Sequence, residues 1–508
     1  MKRNRITNVI IVVLVIAAVY QTGELWLEGT AGHNFFRAVK ESISATDEAS
    51  ESDALLATRY AVGDGASNFS VYYPDKVGSS DMLEKANDVL QEILAENIGE
   101  STELEKADWK EMLQNKCIVM QYDFMINMDD YLEGMRSLKN GQDLDSFDYI
   151  TIVPARRTGE ESKAYFVNSQ TNDCVVYRAM KSKSAPILFE ALQAEPEGEM
   201  VYISTGQKTS SAVLRRNLFL SQWAELPYQY DTLRQVPAFE QEGAVSRMLL
   251  ENTAERFFRN FSVDWSQRDE NGNFVFSDSS VVLRYNPGSR MLEYYNYENY
   301  GSDGPKTALL DGYQISCNFM TNDASLQTDV YLADIGGSGN ETVYYFDYAV
   351  NGLPVYLSES VQQEIGMKHA IEVTVSNNSV KKYRRYAVNY EASGAKDASL
   401  DVQFIDALDA ANRLYQETVE QREIADVKNI ALGYFADRTE GIRLQWFVNL
   451  YDRIFLIETD STLPEQTAVT ETEPETVVNA STNSRKSEKK GGSLWSGKKR
   501  KSLLLCCW

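Results

Sequence analysis

An apolar segment near the N-terminus constrains this chain more than any other feature of its sequence. Residues 9–20 are uninterrupted apolar positions, and Lys2, Arg3 and Arg5 precede them. At about 1.5 Å per helical residue, this run covers only about 18 Å of the roughly 30 Å hydrocarbon core of a bilayer. The longer stretch 6–27 reaches bilayer length. It predicts one transmembrane helix with a cytoplasmic N-terminus, because basic residues favour the cytoplasmic side.

The same segment leaves a cleaved signal peptide open as the alternative. Ala17 and Ala18 are small, but bulky Val19 and Tyr20 follow them, and the pattern of a cleavage site is missing. Trp26 falls where interfacial aromatic side chains are favoured. The chain carries no second apolar run of spanning length downstream of this segment. We therefore expect a single-pass protein of the cell membrane with an extracytoplasmic body.

Charge is distributed unevenly along the 508 residues, whose overall net charge is −24. Eleven of the 50 basic residues but only one of the 74 acidic residues lie outside positions 6–484, so that stretch carries a net charge of −34. Such a body repels nucleic acid, and DNA or RNA binding is not expected. Hydrophobic residues make up 43% of the chain, which is ordinary for globular domains, and the length suggests about three of them.

The pattern of short apolar runs separated by turn residues, with interspersed amphipathic helices, predicts an α+β fold of antiparallel sheets with packed helices. Strong turn signals are Asn286-Pro287-Gly288-Ser289, Asn351-Gly352 and Asn377-Asn378. The predicted organisation is a basic N-terminus (1–5), a transmembrane helix (6–27), a stalk (28–54), an N-terminal α+β domain (55–205), a central α+β domain (206–305), a C-terminal α+β domain (306–458) and a disordered tail (459–508).

Individual elements follow from periodicity. Predicted helices cover residues 82–94, 128–135, 213–224, 244–261 and 402–418. Predicted strands and hairpins cover residues 55–62 with 69–73, 117–124, 147–153, 164–167 with 174–178, 273–276, 280–285, 291–297, 342–350, 354–357, 371–375, 380–386, and a closing hairpin of 430–436 with 444–457.

The cysteines do not form a disulfide or metal pattern. Cys117, Cys174 and Cys317 are widely spaced in the body, and we predict that they are buried as small hydrophobic residues. A single bridge between Cys117 and Cys174 is the alternative. Neither reading provides a redox centre or a metal site.

Catalytic motifs are scarce, and we predict no enzyme activity, cofactor or metal. His33 and His369 are the only histidines, and we expect each to have a surface role. Residues 336–339 read Gly-Gly-Ser-Gly without a following lysine, which predicts a flexible loop rather than a phosphate-binding one. Residues 269–273 resemble a calcium loop, but the position of Gly272 favours a hairpin turn.

Two other functional hypotheses remain open. Tyr294, Tyr295, Tyr297 and Tyr300 cluster with two asparagines, a composition that suits stacking on sugars, although strand packing with outward tyrosines is favoured. This pattern allows a cell-wall polymer or carbohydrate-binding surface protein. An extracytoplasmic hydrolase using paired carboxylates is the third hypothesis, but 74 acidic residues produce such pairs by coincidence.

Several segments together resemble the YycH family, with a C-terminal portion similar to YycI. Residues 25–26 read Leu-Trp at the end of the apolar helix, and residues 283–297 form a strand pair around Asn286-Pro287. The other segments are 346–355 (Phe-Asp-Tyr-Ala-Val-Asn-Gly-Leu-Pro-Val), 371–373 (Ile-Glu-Val), 382–386 (Lys-Tyr-Arg-Arg-Tyr), 432–435 (Leu-Gly-Tyr-Phe) and 445–446 (Gln-Trp). The resemblance covers residues 1 to about 458, and the long C-terminal tail departs from it.

This resemblance implies regulation. Members of the family are accessory membrane proteins of the WalK–WalR two-component system, which controls cell-wall metabolism, and they are thought to pair with YycI. The implied partners are therefore a WalK-like sensor histidine kinase, a YycI-like protein and the membrane. Helices associate closely in lipid through small side chains, so we expect Ala17, Ala18 and Gly23, together with Trp26, to form the partner-binding surface of the helix.

Overall fold

The computed structural model of the chain contains two large β-sheets. The structure describes residues 55–65, 68–72, 80–97, 104–106, 108, 112–134, 144–194, 202–205, 212–213, 218–221, 228–258, 266–298, 306–395, 398–418, 425–438, 441–450, 453–459 and 468–470. Antiparallel pairing dominates both sheets, and helices pack on them. The predicted α+β class with antiparallel sheets is confirmed for this part of the chain.

The described elements alternate short strands with a few helices. The helices are α1 (Ser80–Glu96), α2 (Met128–Gly134), α3 (Ala185–Ala194), α4 (Arg247–Phe257), α5 (Leu309–Met320), α6 (Glu359–Ile365) and α7 (Phe404–Thr418). The strands are β1 (Arg59–Asp64), β2 (Asn68–Tyr72), β3 (Leu104–Lys106), β4 (Lys116–Asn127), β5 (Ser146–Val153), β6 (Ser162–Asn168), β7 (Asp173–Ala179), β8 (Tyr202–Thr205), β9 (Ala212–Val213), β10 (Leu218–Ser221), β11 (Tyr228–Tyr230), β12 (Leu233–Pro237), β13 (Glu240–Gln241), β14 (Ala244–Val245), β15 (Ser266–Arg268), β16 (Phe274–Ser277), β17 (Val281–Asn286), β18 (Met291–Asn296), β19 (Asp329–Ser338), β20 (Glu341–Val350), β21 (Leu353–Leu357), β22 (Ile371–Ser376), β23 (Ser379–Tyr386), β24 (Val388–Ala392), β25 (Ala398–Leu400), β26 (Ala425–Asp437), β27 (Gly441–Leu450), β28 (Arg453–Glu458) and β29 (Ala468–Thr470).

The first sheet has nine strands in the order β10-β8-β2-β1-β4-β5-β6-β7-β3. Alternate residues of its strands point to opposite faces, so each face has its own apolar cluster. One face packs against α1 and α3, and the other buries Cys117 and Cys174 beside Tyr149 and Tyr165. Both cysteines are free thiols, as is buried Cys317. The prediction of buried single cysteines is confirmed, and the alternative bridge does not form.

Helix α1 forms because its apolar residues recur every three or four positions. Met82, Ala86, Val89, Leu90 and Ile93 are buried together against the first sheet. Each of the larger side chains in this set, the methionine, valine, leucine and isoleucine, stabilises the fold by about 1.5–3 kcal/mol when it is fully buried. This face therefore fixes α1 on the sheet, and the predicted helix over residues 82–94 is confirmed.

The second sheet has fourteen strands, and its main path runs β15-β16-β17-β18-β23-β22-β20-β21-β26-β27-β28-β29. β19 pairs with β20, and β9 pairs with β26. β21 and β9 run parallel to β26, whereas the other described pairs are antiparallel. β15 to β18, which fall within the predicted central domain, continue this sheet through the pairing of β18 with β23. The division of the body into three domains stays a prediction.

Two predicted turns supply residues with left-handed backbone geometry. Asn351 and Gly352 have φ values of 50° and 78° between β20 and β21, and Asn377 and Asn378 have φ values of 51° and 52° between β22 and β23. Positive φ at both central residues is typical of the two-residue turns that match the twist of a hairpin. These hairpins are confirmed.

The predicted helix over residues 213–224 is wrong. β9 and β10 lie there, and β10 adds to the edge of the first sheet by pairing with β8. The run Leu218-Phe219-Leu220 suits either a helix or a strand, because short apolar runs do not distinguish the two. Pairing between distant segments decides the outcome.

Three other predicted elements have different boundaries in the structure. The predicted helix 244–261 begins only at Arg247, because β13 and β14 form a hairpin around Glu242 and Gly243, both with positive φ. The predicted strand 444–457 is two strands, β27 and β28. The predicted loop 336–339 is partly strand, since β19 continues to Ser338.

The predicted basic N-terminus (1–5), transmembrane helix (6–27) and stalk (28–54) lie outside the described residues, as does most of the predicted disordered tail (459–508). Within that tail, β29 pairs with β28, so residues 468–470 depart from the predicted disorder. Among the helices of the described part, none combines the length and apolar character needed to cross a membrane. Membrane anchoring therefore remains a prediction from the sequence.

A carboxylate of α1 holds the segment that leads into α3. Glu92 accepts hydrogen bonds from the hydroxyl groups of Ser182 and Ser184 at 2.6 and 3.0 Å. It also accepts from the backbone amides of Lys183 and Ser184 at 2.8 and 3.1 Å. Burial alone would raise the pKa of Glu92, but these hydrogen bonds lower it below its ordinary value.

Glu92→Gln should lower the free energy of unfolding by about 1 kcal/mol near neutral pH, because the amide cannot accept all four hydrogen bonds. A lowered carboxyl pKa stabilises the fold above the unfolded-state pKa, and this contribution is lost as the pH falls through the folded-state value. The difference from wild type should therefore shrink in acid. Urea unfolding from pH 7 to pH 3 measures it. Glu84→Gln, on the exposed side of the same helix, is the control, and an equal effect there would contradict this assignment.

Candidate functional site

One face of the second sheet carries a row of alternating charges. Arg284 of β17 stands opposite Glu293 of β18, which stands opposite Arg384 of β23. Arg384 stands opposite Glu372 of β22, and Glu372 stands opposite Tyr345 of β20. Directly opposite residues of neighbouring strands share a face, so these five side chains form a single row. We call the row and its neighbours Tyr295 and Tyr297 the polar face.

Arg384 lies at the centre of the polar face. Its guanidinium donates to the carboxylates of Glu293 at 3.3 Å and Glu372 at 3.1 Å. It also donates to the backbone carbonyls of Ile365 and Gly366 at 3.0 and 3.3 Å, at the C-terminal end of α6. A cation at a helix C-terminus is favourable, since the last carbonyl groups have no partner within the helix. Arg384 thus joins two strands to α6.

The outer part of the polar face reaches solvent. The Arg284 side chain is 44% exposed, and its guanidinium lies 3.7 Å from the Glu293 carboxylate. Tyr297 is 53% exposed, and its ring stacks on Tyr295 with centroids 6.4 Å apart and an angle of 17° between the planes. Burial and then the Glu293 carboxylate raise the pKa of Tyr295 to about 12, so its hydroxyl stays neutral and donates to Glu293. The face thus combines matched charges with exposed aromatic area.

The tyrosines of residues 294–300 divide between the two faces of the sheet. Tyr294 is buried against Phe257 and Phe319, whereas Tyr295 is half-buried and Tyr297 is exposed. Tyr300 lies outside the described residues. The favoured prediction of strand packing with outward tyrosines matches these positions, and the outward pair of Tyr295 and Tyr297 leaves the sugar-binding hypothesis available.

His369 forms a buried ion pair on the same side of the sheet. Its Nδ1 lies 2.8 Å from Oδ2 of Asp347, and the two side chains are only 12% and 11% exposed. The other carboxylate oxygen, Oδ1, accepts from the backbone amide of Ala370 at 2.8 Å. The ring of Tyr345 packs on the imidazole with centroids 5.2 Å apart. The predicted surface role of His369 is wrong, because the loop before β22 folds the ring onto Asp347 of β20.

A polar junction connects the two sheets beside this pair. Arg59 of β1 donates to Asp123 of β4 at 3.0 Å and to Asn429 of β26 at 3.2 Å, so it bridges the first sheet and the second. A cavity of about 20 Å³ lies here, lined by Arg59, Asp123, Tyr331 and Ala431 among others. That volume has room for about one water molecule. Tyr331 stands opposite Asp347 in the pairing of β19 with β20, so the junction and the His369 pair are adjacent.

The opposite face of the second sheet contains a fully buried charge. Arg385 donates to Asp323 at 2.8 Å, to the hydroxyl of Ser325 at 2.8 Å and to Asn389 at 3.0 Å. The side chains of Arg385 and Asp323 are completely buried. Buried charges persist only when they are paired and hydrogen-bonded, as both are here. This network stabilises the core of the second sheet, and it does not face solvent.

The predicted partner-binding residues Ala17, Ala18, Gly23 and Trp26 lie outside the described residues, as does His33. Within the part of the chain that the structure describes, there is no group of three or more His, Cys, Asp or Glu side chains arranged to hold a metal ion. The predicted hairpin turn at 269–273 is confirmed. Asp269 accepts from the backbone amides of Asn271 and Asn273, between β15 and β16.

Sequence reasoning missed the polar face and the buried His369 pair. The four charged residues of the row lie in four separate strands, and only the register of those strands brings them together. Alternation along β23, where Lys382 and Arg384 flank buried Tyr383, was the one available signal, because alternation predicts a polar face. No comparable local signal marks His369.

Arg384→Gln should lower the free energy of unfolding by about 2 kcal/mol, because Glu293 and Glu372 lose their shared cation and α6 loses a partner for its last carbonyl groups. Arg284→Gln is the matched control on the same row. Its more exposed side chain should contribute about 0.5 kcal/mol or less. Urea unfolding of both variants measures the difference, and equal effects would show that Arg384 has no special role.

Comparisons with known proteins give structural neighbours only. No family model matches the chain, and no curated protein matches it by sequence. The crystal structure of YycH from Bacillus subtilis is similar with a TM-score of 0.47 and 13% identity, over 82% of this chain and 98% of that chain. It bears the name of the family that the sequence resembles. The likeness is one of structure, and it is not a match of sequence family.

Two other solved structures are more distant. An uncharacterized protein from Eubacterium rectale has a TM-score of 0.30 and 11% identity, over 54% of this chain and 90% of that chain. The C-terminal domain of YpeB from Bacillus megaterium has a TM-score of 0.24 and 12% identity, over 45% of this chain and 99% of that chain.

Proposed function

We propose that this protein is a membrane-anchored accessory regulator of a sensor histidine kinase that controls cell-wall metabolism. In this proposal, residues 6–27 pack against helices of a WalK-like kinase in the bilayer. The extracytoplasmic body binds a partner ectodomain, with a YycI-like protein as the expected partner. The protein acts through contacts, and it biases the kinase only if it binds the two kinase states with different affinity.

The observation that supports a contact role is the polar face. Its central charges are held in place by Arg384, and its outer part offers Arg284 and Tyr297 to solvent. Protein interfaces favour Tyr and Arg, because these side chains combine large contact area with directional hydrogen bonds. Within a body of net charge −34, a row of balanced charges also avoids the repulsion that an acidic partner meets elsewhere.

Photocrosslinking from the face tests the ectodomain contact. A benzophenone amino acid replaces Tyr297 in the full-length anchored protein, and cells that produce it are irradiated. We expect a discrete adduct with one membrane-protein partner. The matched control carries the same group at Glu190, an exposed position of α3 on the first sheet, and should give no such adduct. Equal adducts at both positions, or none at Tyr297, would contradict a partner on the polar face.

An anchor exchange tests the membrane contact. Residues 6–27 are replaced by an unrelated transmembrane helix of the same length, while the body is unchanged. Co-purification of the kinase should fall at least about tenfold, which corresponds to about 1.4 kcal/mol of lost association energy. Undiminished co-purification would place the whole contact in the body.

A second candidate function rests on the stacked pair of Tyr295 and Tyr297. The exposed ring of Tyr297 lies nearly parallel to the half-buried ring of Tyr295, and such aromatic surface suits the apolar faces of sugars, which favours binding of a wall polymer. The purified body, residues 55–470, would then be retained on isolated cell walls, and Tyr297→Ala would reduce this retention about tenfold. The regulator proposal expects the wild-type body and the variant to show equally weak retention.

A further inference from the structure

The buried pair of His369 and Asp347 lies next to the junction at which Arg59 of the first sheet donates to Asn429 of the second sheet. Oδ1 and Oδ2 of Asp347 are both engaged, by Ala370 N–H and by His369 Nδ1. Nε2 of His369 is buried, and it has no hydrogen-bond partner within the described part of the chain. Asp347 is therefore the hydrogen-bonded partner of the imidazole, and the His369 side chain is only 12% exposed.

Protonation of His369 changes the charge balance at the junction. When the ring is protonated, it neutralises the buried Asp347 carboxylate. When the ring is neutral, Asp347 remains as a buried negative charge beside Tyr331, with Asp123 as a second carboxylate at the cavity and Arg59 as the cation between the sheets. A buried charge without a counter-ion is costly, so the neutral ring disfavours the closed packing.

The groups around the imidazole shift the pKa of His369 in opposite directions. Burial lowers the pKa of His369, while Asp347 raises it by charge attraction and by the hydrogen bond. Lys368 on its own loop lowers the pKa, and Asp334 of β19 raises it. The result is a pKa above the ordinary value of histidine. The stabilisation is therefore complete below the unfolded-state pKa of about 6.5, and it is lost as the pH rises through the folded-state value.

We infer that His369 is a proton-operated latch: its protonated form holds the first sheet closely packed on the second at the Arg59 junction, and its neutral form loosens that junction. The latch is a property of the body alone. It does not require that a partner binds the polar face.

Cysteine reactivity at the junction tests the latch. Ala431→Cys places a thiol in the wall of the cavity, in a full-length chain that also carries Cys506→Ser and Cys507→Ser. The native thiols of Cys117, Cys174 and Cys317 are buried and protected. The rate of maleimide labelling is compared between this chain and its His369→Gln derivative at the same pH. That comparison cancels the pH dependence of the thiol itself.

At pH 6, we expect the His369→Gln chain to label faster, by about tenfold for each pKa unit by which closed packing raises the pKa of His369. At a pH about two units above the midpoint that NMR gives for His369, the ring is neutral and the two chains should label at nearly equal rates. If the ratio of the labelling rates of the His369→Gln chain and its parent does not change with pH, the latch proposal is overturned, whether the ratio is one or larger. A constant ratio above one would assign His369 a packing role alone.

Proton binding to His369 is measured separately, in a variant that leaves every residue of the junction unchanged. His33→Ala leaves His369 as the only histidine, so the proton NMR signal of its imidazole reports its titration directly. We expect a midpoint above 6.5, and Asp347→Asn should lower that midpoint. A midpoint at or below 6.5 in the His33→Ala chain would overturn the inference without any junction variant.

Discussion

Arg385→Met should lower the free energy of unfolding by about 3–5 kcal/mol, which is a large fraction of the stability of an ordinary domain. The substitution removes five hydrogen bonds and leaves the Asp323 carboxylate buried without its cation. Only neutral donors then remain for that carboxylate: the Tyr383 hydroxyl at 2.9 Å, and the backbone amide and hydroxyl of Ser325 at 3.1 and 2.5 Å. Urea unfolding followed by circular dichroism measures the loss.

The paired replacement separates the cost of an orphaned charge from the value of the ion pair. Asp323→Asn in the Arg385→Met background removes the buried negative charge. Stability should then recover by about 1–3 kcal/mol, so the double variant loses less than the two single changes together. Arg385→Lys keeps the charge but not the planar fork that reaches Ser325 and Asn389. Strict additivity in this cycle would contradict a coupled network.

Phe147→Ala should also lower the free energy of unfolding by about 3–5 kcal/mol, because it opens a cavity at the centre of the first sheet. Phe147 is completely buried, and its ring packs edge-on against Tyr131 at 5.2 Å and Phe166 at 5.0 Å between centroids. Tyr131 belongs to α2, so this cluster also fixes α2 on the sheet.

Phe147→Leu is the matched control, since it keeps most of the volume and loses only the edge-to-face contacts. It should cost about 1–1.5 kcal/mol. Unfolding curves of the two variants, with unchanged slopes, give the comparison. Equal losses in both variants would show that ring geometry, rather than volume, determines stability at this site.

Local sequence signals correctly predict the hairpins around residues 351–352 and 377–378 and helix α1, because their causes are local, whereas α3, α5 and α6 are not among the predicted helices. Asn351-Gly352 and Asn377-Asn378 accept the positive φ that their turns require, and the spacing of apolar residues in α1 gives a single buried face. The strand β10 was predicted as helix, because its partner β8 is distant in the chain and the apolar run itself is ambiguous.

The candidate site was much less predictable than the fold. Glu293, Glu372 and Arg384 become neighbours only through strand register, and no spacing in the sequence encodes that register. In the sequence, His369 is a lone histidine before a predicted strand, with no neighbouring residue that marks a partner. Its partner Asp347 lies in β20 between aromatic residues, where Tyr344, Phe346 and Tyr348 are buried on the opposite face. Sequence position alone cannot predict this pairing across strands.

The most direct test of the central claim is photocrosslinking from the N-terminal segment in native membranes. A benzophenone amino acid replaces Ala17 or Ala18, one position at a time, and the adducts are identified by mass spectrometry together with the N-terminus of the mature chain. We predict an intact N-terminal segment and an adduct that contains a sensor histidine kinase. A mature chain that begins beyond Tyr20, or an intact segment that captures lipid but no protein, would contradict regulation through contacts in the membrane.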